Sequence, residues 1–332
     1  MWQGCITMNN VTWKKIGWGM MAMGAAAGIY AALRYGNRFL DQFEDTLQDA
    51  SAPGDFFKTS AGWRIHYTVR GEGSPVVMIH GFLDSLQTWR RNADVLARNH
   101  RVYAIDVLGF GSSDRVREPI YTLKQQAALL KEFFDAHQIE KADVIGHSMG
   151  GALALQYAYD FPDSVHKLVL IAPATYLYNA FPRNGFKAVP RPITRGVLGI
   201  YEKMQGDRAN PVRLAYGDPE LITEDSIQIR NRMMHVRGQH DALISMSKSK
   251  REANVPQELH KIDVPTLIVW GKKDRIVPAS HATKHLRAMP NARLEWIESA
   301  GHLPHEENPK AVNELVENFL DEPQHLSAPN FE

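Results

Sequence analysis

A serine between two glycines is the first group in this sequence that has the surroundings of a nucleophile. It lies in Gly146-His147-Ser148-Met149-Gly150, after an apolar run at residues 142–145 and before small residues at helical spacing in 151–159. A strand, a sharp turn and a helix in this order present such a serine at the tip of a strained turn. Glycine suits the flanking positions because it has no Cβ to block the close approach of strand and helix. We therefore predict Ser148 as a nucleophile.

A serine hydroxyl needs a base to take its proton, and that base needs a carboxylate to orient it. Where the serine follows a strand in this way, the partners come in the order Ser, Asp, His. Asp274 lies just past one buried strand pattern, and His302 lies just past the next. We therefore predict Ser148, Asp274 and His302 as a catalytic triad.

Other residues compete for two of these roles. Asp106 and Asp241 are alternative acids, and His305 is only three positions beyond His302. Gly301 favours His302 as the base because it leaves the backbone free to turn sharply where the strand ends. His305 is expected at the start of a helix or at the rim of the site.

The oxyanion of a tetrahedral intermediate must be met by backbone N–H groups. Met149 follows the nucleophile at a helix N-terminus, where the helix dipole adds to the effect. Phe82, in the loop after the strand at 76–79, is the second candidate, so Phe82 and Met149 are the predicted oxyanion-hole and substrate-binding residues. His80 in the same loop is expected to be structural and to hydrogen-bond within the loop.

Strand and helix patterns alternate on both sides of a long interruption. This alternation predicts an α/β fold with a doubly wound, mostly parallel sheet and a site at the carboxyl ends of the strands. The predicted strands are 63–69, 76–79, 102–107, 142–145, 168–171, 266–270 and 294–297, and the predicted helices include 121–137, 151–159, 279–289 and 309–320.

The interruption covers residues 174–263, which carry helix-like segments separated by prolines. A loop of that length without internal structure is uncommon in compact domains, so we predict an inserted helical cap there. The α/β core is then assigned to 60–173 and 264–320, and residues 321–332 to a flexible tail.

The N-terminal segment contains no charged residue from Ile16 to Leu33. Eighteen residues at about 1.5 Å each span roughly 27 Å, near the lower limit for a helix that crosses a bilayer. We predict residues 1–36 as a membrane anchor and 37–59 as a linker. Two basic residues flank each end of the uncharged run, so the positive-inside rule does not set the orientation of the anchor. A signal peptide cleaved near 25–27 and a helix packed on the catalytic domain are the alternatives.

The net charge and the cysteine content bear on two further properties, nucleic-acid binding and disulfide formation. The formal net charge of +1 gives no indication of nucleic-acid binding. Cys5 is the one cysteine, so the chain forms no intramolecular disulfide.

The motifs together resemble the α/β-hydrolase superfamily over about residues 60–320. The segments that carry the resemblance are His80-Gly81-Phe82, Asp106 to Asp114, Gly146 to Gly151, Trp270 to Asp274 and Gly301-His302. The resemblance implies a hydrolase that needs no cofactor and no metal. The single-glycine loop at 80–82 is similar to that of membrane-associated monoacylglycerol lipases and related bacterial lipases and esterases, which also have an N-terminal hydrophobic segment.

Two other branches of the superfamily are similar at different points. Haloalkane dehalogenases and epoxide hydrolases have an aspartate where this chain has Ser148, which argues against both. The meta-cleavage-product carbon–carbon hydrolases share the Gly-Phe-Gly-x-Ser-Asp loop and the serine, but typically have asparagine where this chain has His147.

The expected function is therefore a serine esterase or lipase that cleaves monoacylglycerol or similar medium-chain lipid esters. A carbon–carbon bond hydrolase, a cofactor-free perhydrolase and a non-catalytic ligand receptor on the same fold are the alternatives. Membrane association is expected through 16–33 and through segment 181–203, which contains five basic residues and only one acidic residue, Glu202. An ordinary solvated face is the other interpretation of 181–203.

Overall fold

The computed structural model of the protein describes residues 30–31, 33–38, 53–177, 193, 211–249 and 255–323. Most of the predicted anchor, nearly all of the basic segment 181–203 and the tail after residue 323 lie outside these ranges. Residues 30–38, apart from residue 32, are helical where described. Within the described ranges, no helix combines the length and the apolar character needed to span a membrane.

One eight-stranded sheet forms the centre of the molecule. Its strands are β1 (Asp55–Lys58), β2 (Arg64–Arg70), β3 (Ser74–Ile79), β4 (His100–Ile105), β5 (Ala142–His147), β6 (Val165–Ile171), β7 (Thr266–Gly271) and β8 (Ala292–Ile297). Their order across the sheet is β1-β2-β4-β3-β5-β6-β7-β8. The β1–β2 and β2–β4 pairs are antiparallel, and every other neighbouring pair is parallel. The predicted doubly wound, mostly parallel sheet is confirmed.

β1 lies inside residues 37–59, which the sequence analysis assigned to a linker. It pairs with β2 from Asp55 opposite Tyr67 to Lys58 opposite Arg64. Its side chains are mostly exposed because it is the edge strand of the sheet. Four residues without a buried face give too little hydrophobic pattern to indicate a strand, so the sheet begins at residue 55 rather than after 60.

Helices cover both faces of the sheet. The helices described after residue 38 are α1 (Ala93–Leu96), α2 (Leu123–Ala136), α3 (Met149–Asp160), α4 (Pro211–Ala215), α5 (Glu224–His235), α6 (Gln239–Lys248), α7 (Val255–Glu258), α8 (Ser280–Ala288), α9 (Pro304–Glu307) and α10 (Pro309–Asp321). Apolar side chains of α2, α3 and α8 belong to the core on one face, and those of α1 and α10 belong to the core on the other. Two covered faces explain why the central strands are continuous apolar runs.

The region predicted as a cap is helical in its described parts. Residues 211–249 and 255–263 contain α4 to α7 and no strand. Thr223 caps α5 by accepting a hydrogen bond from the Ser226 N–H, and two acidic residues occupy its first turn. Both features stabilise a helix N-terminus, so this cap helix has a fixed start close to the core.

Candidate active site

Ser148 lies between the end of β5 and the start of α3, in a backbone conformation that non-glycine residues rarely adopt. Its φ is 52° and its ψ is −115°. The serine N–H donates to the carbonyl of Ile171 at 2.9 Å, and the serine carbonyl accepts from the N–H of Ala174 at 2.9 Å. Such strain persists only where the surroundings fix the backbone. The loop after β6 does so here, and holds the serine at the tip of the turn.

Steric crowding by neighbouring backbone atoms explains why positions 146 and 150 of the motif are glycines. A Cβ on Gly150 would lie 2.2 Å from the carbonyl oxygen of Ile79, and a Cβ on Gly146 would lie 2.4 Å from the carbonyl oxygen of Gly150. Both obstacles are backbone atoms that cannot rotate away. The close approach of strand and helix predicted from the sequence is therefore present.

The structure brings Ser148, Asp274 and His302 together in one chain of hydrogen bonds. The distance between His302 Nδ1 and Asp274 Oδ2 is 2.8 Å, and His302 Nε2 is 2.9 Å from Ser148 Oγ. The other Asp274 oxygen accepts the N–H groups of Ile276 and Val277 at 2.8 and 2.9 Å. An ionised carboxylate accepts only, so with Asp274 ionised the proton lies on Nδ1 and leaves Nε2 to accept the serine O–H.

The competing residues lie elsewhere. Asp106 is buried against His66, at 2.7 Å between Oδ2 and Nδ1. Asp241 forms an ion pair of 2.9 Å with Arg117. His305 is buried and its Nε2 is 2.9 Å from a threonine hydroxyl. None of these contacts involves Ser148.

The loop after β3 passes directly beside the serine. A Cβ on Gly81 would lie 3.2 Å from Ser148 Cβ. Within the described part of the chain, the backbone N–H groups of Phe82 and Met149 form no hydrogen bond. Two N–H groups without acceptors beside the predicted nucleophile have the character that an oxyanion hole requires.

His80 fixes the start of this loop. Its Nδ1 is 2.7 Å from the carbonyl oxygen of Gly81, and its Nε2 accepts from the N–H of Val107 at 3.0 Å. Because a carbonyl can only accept, Nδ1 carries the proton. Both ring nitrogens are used within the loops, as the sequence analysis expected.

His147 contributes a contact that the sequence analysis missed. Its Nε2 donates to the carbonyl oxygen of His302 at 2.9 Å, and its ring centroid lies 4.9 Å from that of His302 and 4.6 Å from that of His305. Burial, followed by the nearby His305 and His302, lowers the pKa of His147 well below its ordinary value. The only sequence signal was its position next to the serine.

The loop that carries His302 is also held by an acidic residue and by the cap. Glu307 accepts the N–H of Gly301 and the N–H of Gly217, each at 2.8 Å. The N–H of His302 donates to the carbonyl of Ala215 at 2.6 Å. Since Ala215 and Gly217 lie in and just after α4, the cap supports the backbone of the predicted base directly.

The fold and the arrangement of the site are those of a known protein family. A profile of the α/β-hydrolase fold matches residues 74–309, and the chain belongs to that family. The predicted superfamily is confirmed, while the narrower resemblance to monoacylglycerol lipases stays a prediction.

Individual relatives have several hydrolytic activities. A 2-hydroxy-6-oxononadienedioate/2-hydroxy-6-oxononatrienedioate hydrolase of Comamonas testosteroni is 31% identical over 273 residues, which cover 79% of this chain and 93% of that protein. An esterase from Exiguobacterium antarcticum superposes with a TM-score of 0.67 at 23% identity, covering 81% of this chain and 100% of its own. A bacterial membrane phospholipase A superposes with a TM-score of 0.64 at 22% identity, covering 93% of this chain and 98% of its own. The similarity supports a hydrolase as the class of activity.

Proposed function

We propose that this protein is a serine hydrolase of carboxylic esters. The observation that carries the proposal is the continuous Asp274–His302–Ser148 hydrogen-bond chain, with distances of 2.8 and 2.9 Å, at a strained turn. A nucleophile, its base and the group that orients the base are the parts that acyl transfer needs.

The reaction proceeds in two halves. Ser148 Oγ attacks the ester carbonyl while His302 Nε2 takes its proton, and the N–H groups of Phe82 and Met149 bind the oxyanion. The intermediate collapses to an acyl-enzyme, and the leaving alcohol takes the proton from His302. Water then attacks the acyl-enzyme with His302 again as base, which releases the acid and restores Ser148. Asp274 holds Nδ1–H and stabilises the imidazolium that forms in each half.

Exposed apolar side chains near the triad support a lipid-like substrate. Phe82, Leu214 and Ile276 are all exposed. Phe82 belongs to the loop beside Ser148, Leu214 precedes the residue whose carbonyl binds His302, and Ile276 follows Asp274 by two positions. An acyl chain that covers such side chains gains about 25 cal/mol for each Å² of apolar surface removed from water. Monoacylglycerol or a similar medium-chain ester is the substrate we propose.

The first experiment is hydrolysis of p-nitrophenyl esters from C2 to C16. We expect turnover with an optimum at a defined chain length, and Ser148→Ala to lower kcat by at least about 10⁴-fold. Ser280→Ala, at an exposed serine at the start of α8, is the control and should match the wild type. Turnover that survives Ser148→Ala would contradict the assigned nucleophile.

A carbon–carbon bond hydrolase is the second candidate, because the Comamonas testosteroni relative is named a hydrolase of 2-hydroxy-6-oxononadienedioate and 2-hydroxy-6-oxononatrienedioate, which are not esters. The named substrates are dicarboxylates, which require cations near the serine. Two partly buried arginines of the described chain, Arg90 and Arg230, already contact Glu306 rather than standing free for a substrate carboxylate, so we rank the neutral ester first. If the protein cleaved a 2-hydroxy-6-oxo-dienoate and was inactive on every ester, the carbon–carbon bond hydrolase would be favoured over the esterase.

We also propose that residues 16–33 anchor the enzyme to a membrane and that the basic segment 181–203 touches its surface. Both proposals rest on the sequence pattern. An anchor resists extraction by salt and by alkali, whereas a basic surface contact is screened by salt. The full chain is floated with anionic liposomes and then washed with salt or with alkali. Protein that resists both washes is anchored, and protein that salt releases is held by the basic surface contact. Release of all the protein by salt would exclude the anchor.

A further inference from the structure

A buried ion cluster lies beneath the cap helix α5, close to the triad. We call Asp84, Arg90, Arg230 and Glu306 the arginine cluster. Arg230 Nη2 donates to Asp84 Oδ2 at 3.0 Å and to Glu306 Oε1 at 2.6 Å, and Arg90 Nη2 donates to Glu306 Oε2 at 3.2 Å. The side chains of Glu306, Asp84 and Arg230 are 0%, 5% and 12% exposed. Solvent therefore screens these charges little.

Glu306 is the most heavily bonded member. In addition to the two arginines, it accepts from the hydroxyl of Thr88 at 2.7 Å and from the hydroxyl of Tyr216 at 2.9 Å. Burial alone would raise the pKa of the Glu306 carboxyl, but Arg230 holds it well below its ordinary value. The carboxylate is therefore ionised, with Arg230 as its main counter-charge and Arg90 as a second one.

The arginine cluster joins the two loops that the reaction uses. Asp84 is two residues after Phe82, and Glu306 is four residues after His302, whereas Arg230 belongs to the cap. Leu83, between Phe82 and Asp84, has a φ of 54°, which is strained for a side chain branched at Cγ. Strain of this kind survives only where both sides are fixed. The contact of Asp84 with Arg230 fixes one side, and the His80 contacts fix the other.

We propose that Arg230 is a positioning residue. From the cap side, it keeps the loop of Phe82 and the loop of His302 in a fixed position relative to each other. The inference rests on the proposed triad. Removing one partner of a buried ion pair leaves an uncompensated charge in the interior. Without Arg230, Asp84 and Glu306 would repel each other, and either the loops separate or a carboxylate takes up a proton. A shift of about 1 Å at a reacting group costs about 100-fold in rate.

The test compares Arg230→Met and Arg230→Lys with Arg232→Met. Arg232 is on the same helix but exposed, so it is the matched control. The readouts are kcat and KM on the ester of best chain length, and the rate at which a fluorophosphonate labels Ser148. We expect Arg230→Met to lower kcat and the labelling rate by about 10- to 100-fold with KM changed less than about threefold. Arg230→Lys should recover part of the loss, because an ammonium keeps the charge but not the bidentate geometry.

The pH profile distinguishes positioning from a general loss of stability. Among the described residues, the charged or titratable groups that face Asp84 or Glu306 are Arg230 on α5, Arg90 and His80 in the segments after β3, Tyr216 after α4 and His305 on α9. Asp225 on α5 contacts Arg90 instead. In Arg230→Met, Asp84 loses its arginine and Glu306 keeps only Arg90. The two carboxylates then gain a proton more readily, so the rate of this variant relative to wild type should rise as the pH falls from 8 to 6. Asp84→Asn in the Arg230→Met background removes one of the two charges, and should restore activity and flatten this ratio.

Each result decides the matter. If Arg230→Met lowers only the melting temperature, with kcat and labelling unchanged at a temperature where all variants are folded, the inference is wrong. Equal losses in Arg232→Met also overturn it. If Arg230→Met does not fold, Asp84→Asn alone must slow labelling more than Arg232→Met does. A wild type that is labelled at Ser148 but cleaves no ester refutes the proposed function and leaves the labelling test of Arg230 intact. A wild type that is not labelled refutes both.

Discussion

The triad and the arginine cluster are two polar groups on the same loops, and they differ in how completely their hydrogen-bonding capacity is used. Both oxygens of Glu306 accept from at least two protein donors. At the triad, the N–H groups of Phe82 and Met149 have no acceptor among the described residues. A saturated cluster can hold a loop in place, whereas a group that must react needs capacity left for the substrate. The predictions below test this distinction.

The largest expected difference in kcat is between substitutions of two aspartates whose side chains are buried, Asp274 and Asp106. Asp274→Asn should lower kcat by about 10³- to 10⁴-fold, because the amide no longer fixes the His302 tautomer. Asp106→Asn should leave kcat of the folded protein within about threefold but lower the free energy of unfolding by about 2–4 kcal/mol, since it breaks the contact with His66. Kinetics and urea unfolding of both variants check this. A fully active Asp274→Asn together with an inactive, folded Asp106→Asn would mean that Asp106 is the acid.

Much of the core and the triad geometry could be predicted from the sequence, because they depend on local patterns. A parallel strand covered on both faces is a continuous apolar run, and parallel strands place their carboxyl ends at one edge of the sheet. Asp274 follows such a run, β7, and His302 follows β8, a partly buried edge strand that pairs in parallel with β7. Because the two strands end at the same edge of the sheet, the two side chains could be placed together although 28 positions separate them in the chain.

The supports of the site could not be predicted in this way. His147 holds the carbonyl of His302 across 155 positions, and Arg230 reaches Asp84 across 146 positions. No strand or helix period relates such residues, since the approach of the cap to the core is set by tertiary packing. The edge strand β1 was missed for a different reason, namely that it has almost no buried face.

Buried histidines provide the second prediction. Burial lowers the pKa of His285 to about 4 and that of His305, beside the arginine cluster, to about 3. Between pH 6.5 and 4 the unfolded chain binds protons at these residues and the folded chain does not, so stability falls as the pH falls. Each contributes a slope of up to about 1.4 kcal/mol per pH unit. Urea unfolding at pH 7, 6 and 5 measures the total slope.

The control for this slope is the exposed His260. His305→Gln should reduce the slope by about the contribution of one histidine, whereas His260→Gln should leave it unchanged. An unchanged slope in His305→Gln would mean that His305 is protonated in the folded protein, and the arginine cluster would then carry an additional positive charge.

The smallest expected effect concerns His147, whose Nε2–H is the link between the serine motif and the His302 loop. His147→Phe keeps a ring of similar size and removes the donor. Because the carbonyl of His302 then loses a buried partner, we expect kcat to fall by about three- to tenfold, the equivalent of about one neutral hydrogen bond. His147→Gln retains an N–H donor and should lie closer to wild type. Equal activity of His147→Phe and wild type would show that the contacts of His302 with Ala215 and Asp274 are sufficient to position the base, and that the support of the triad comes from the cap side.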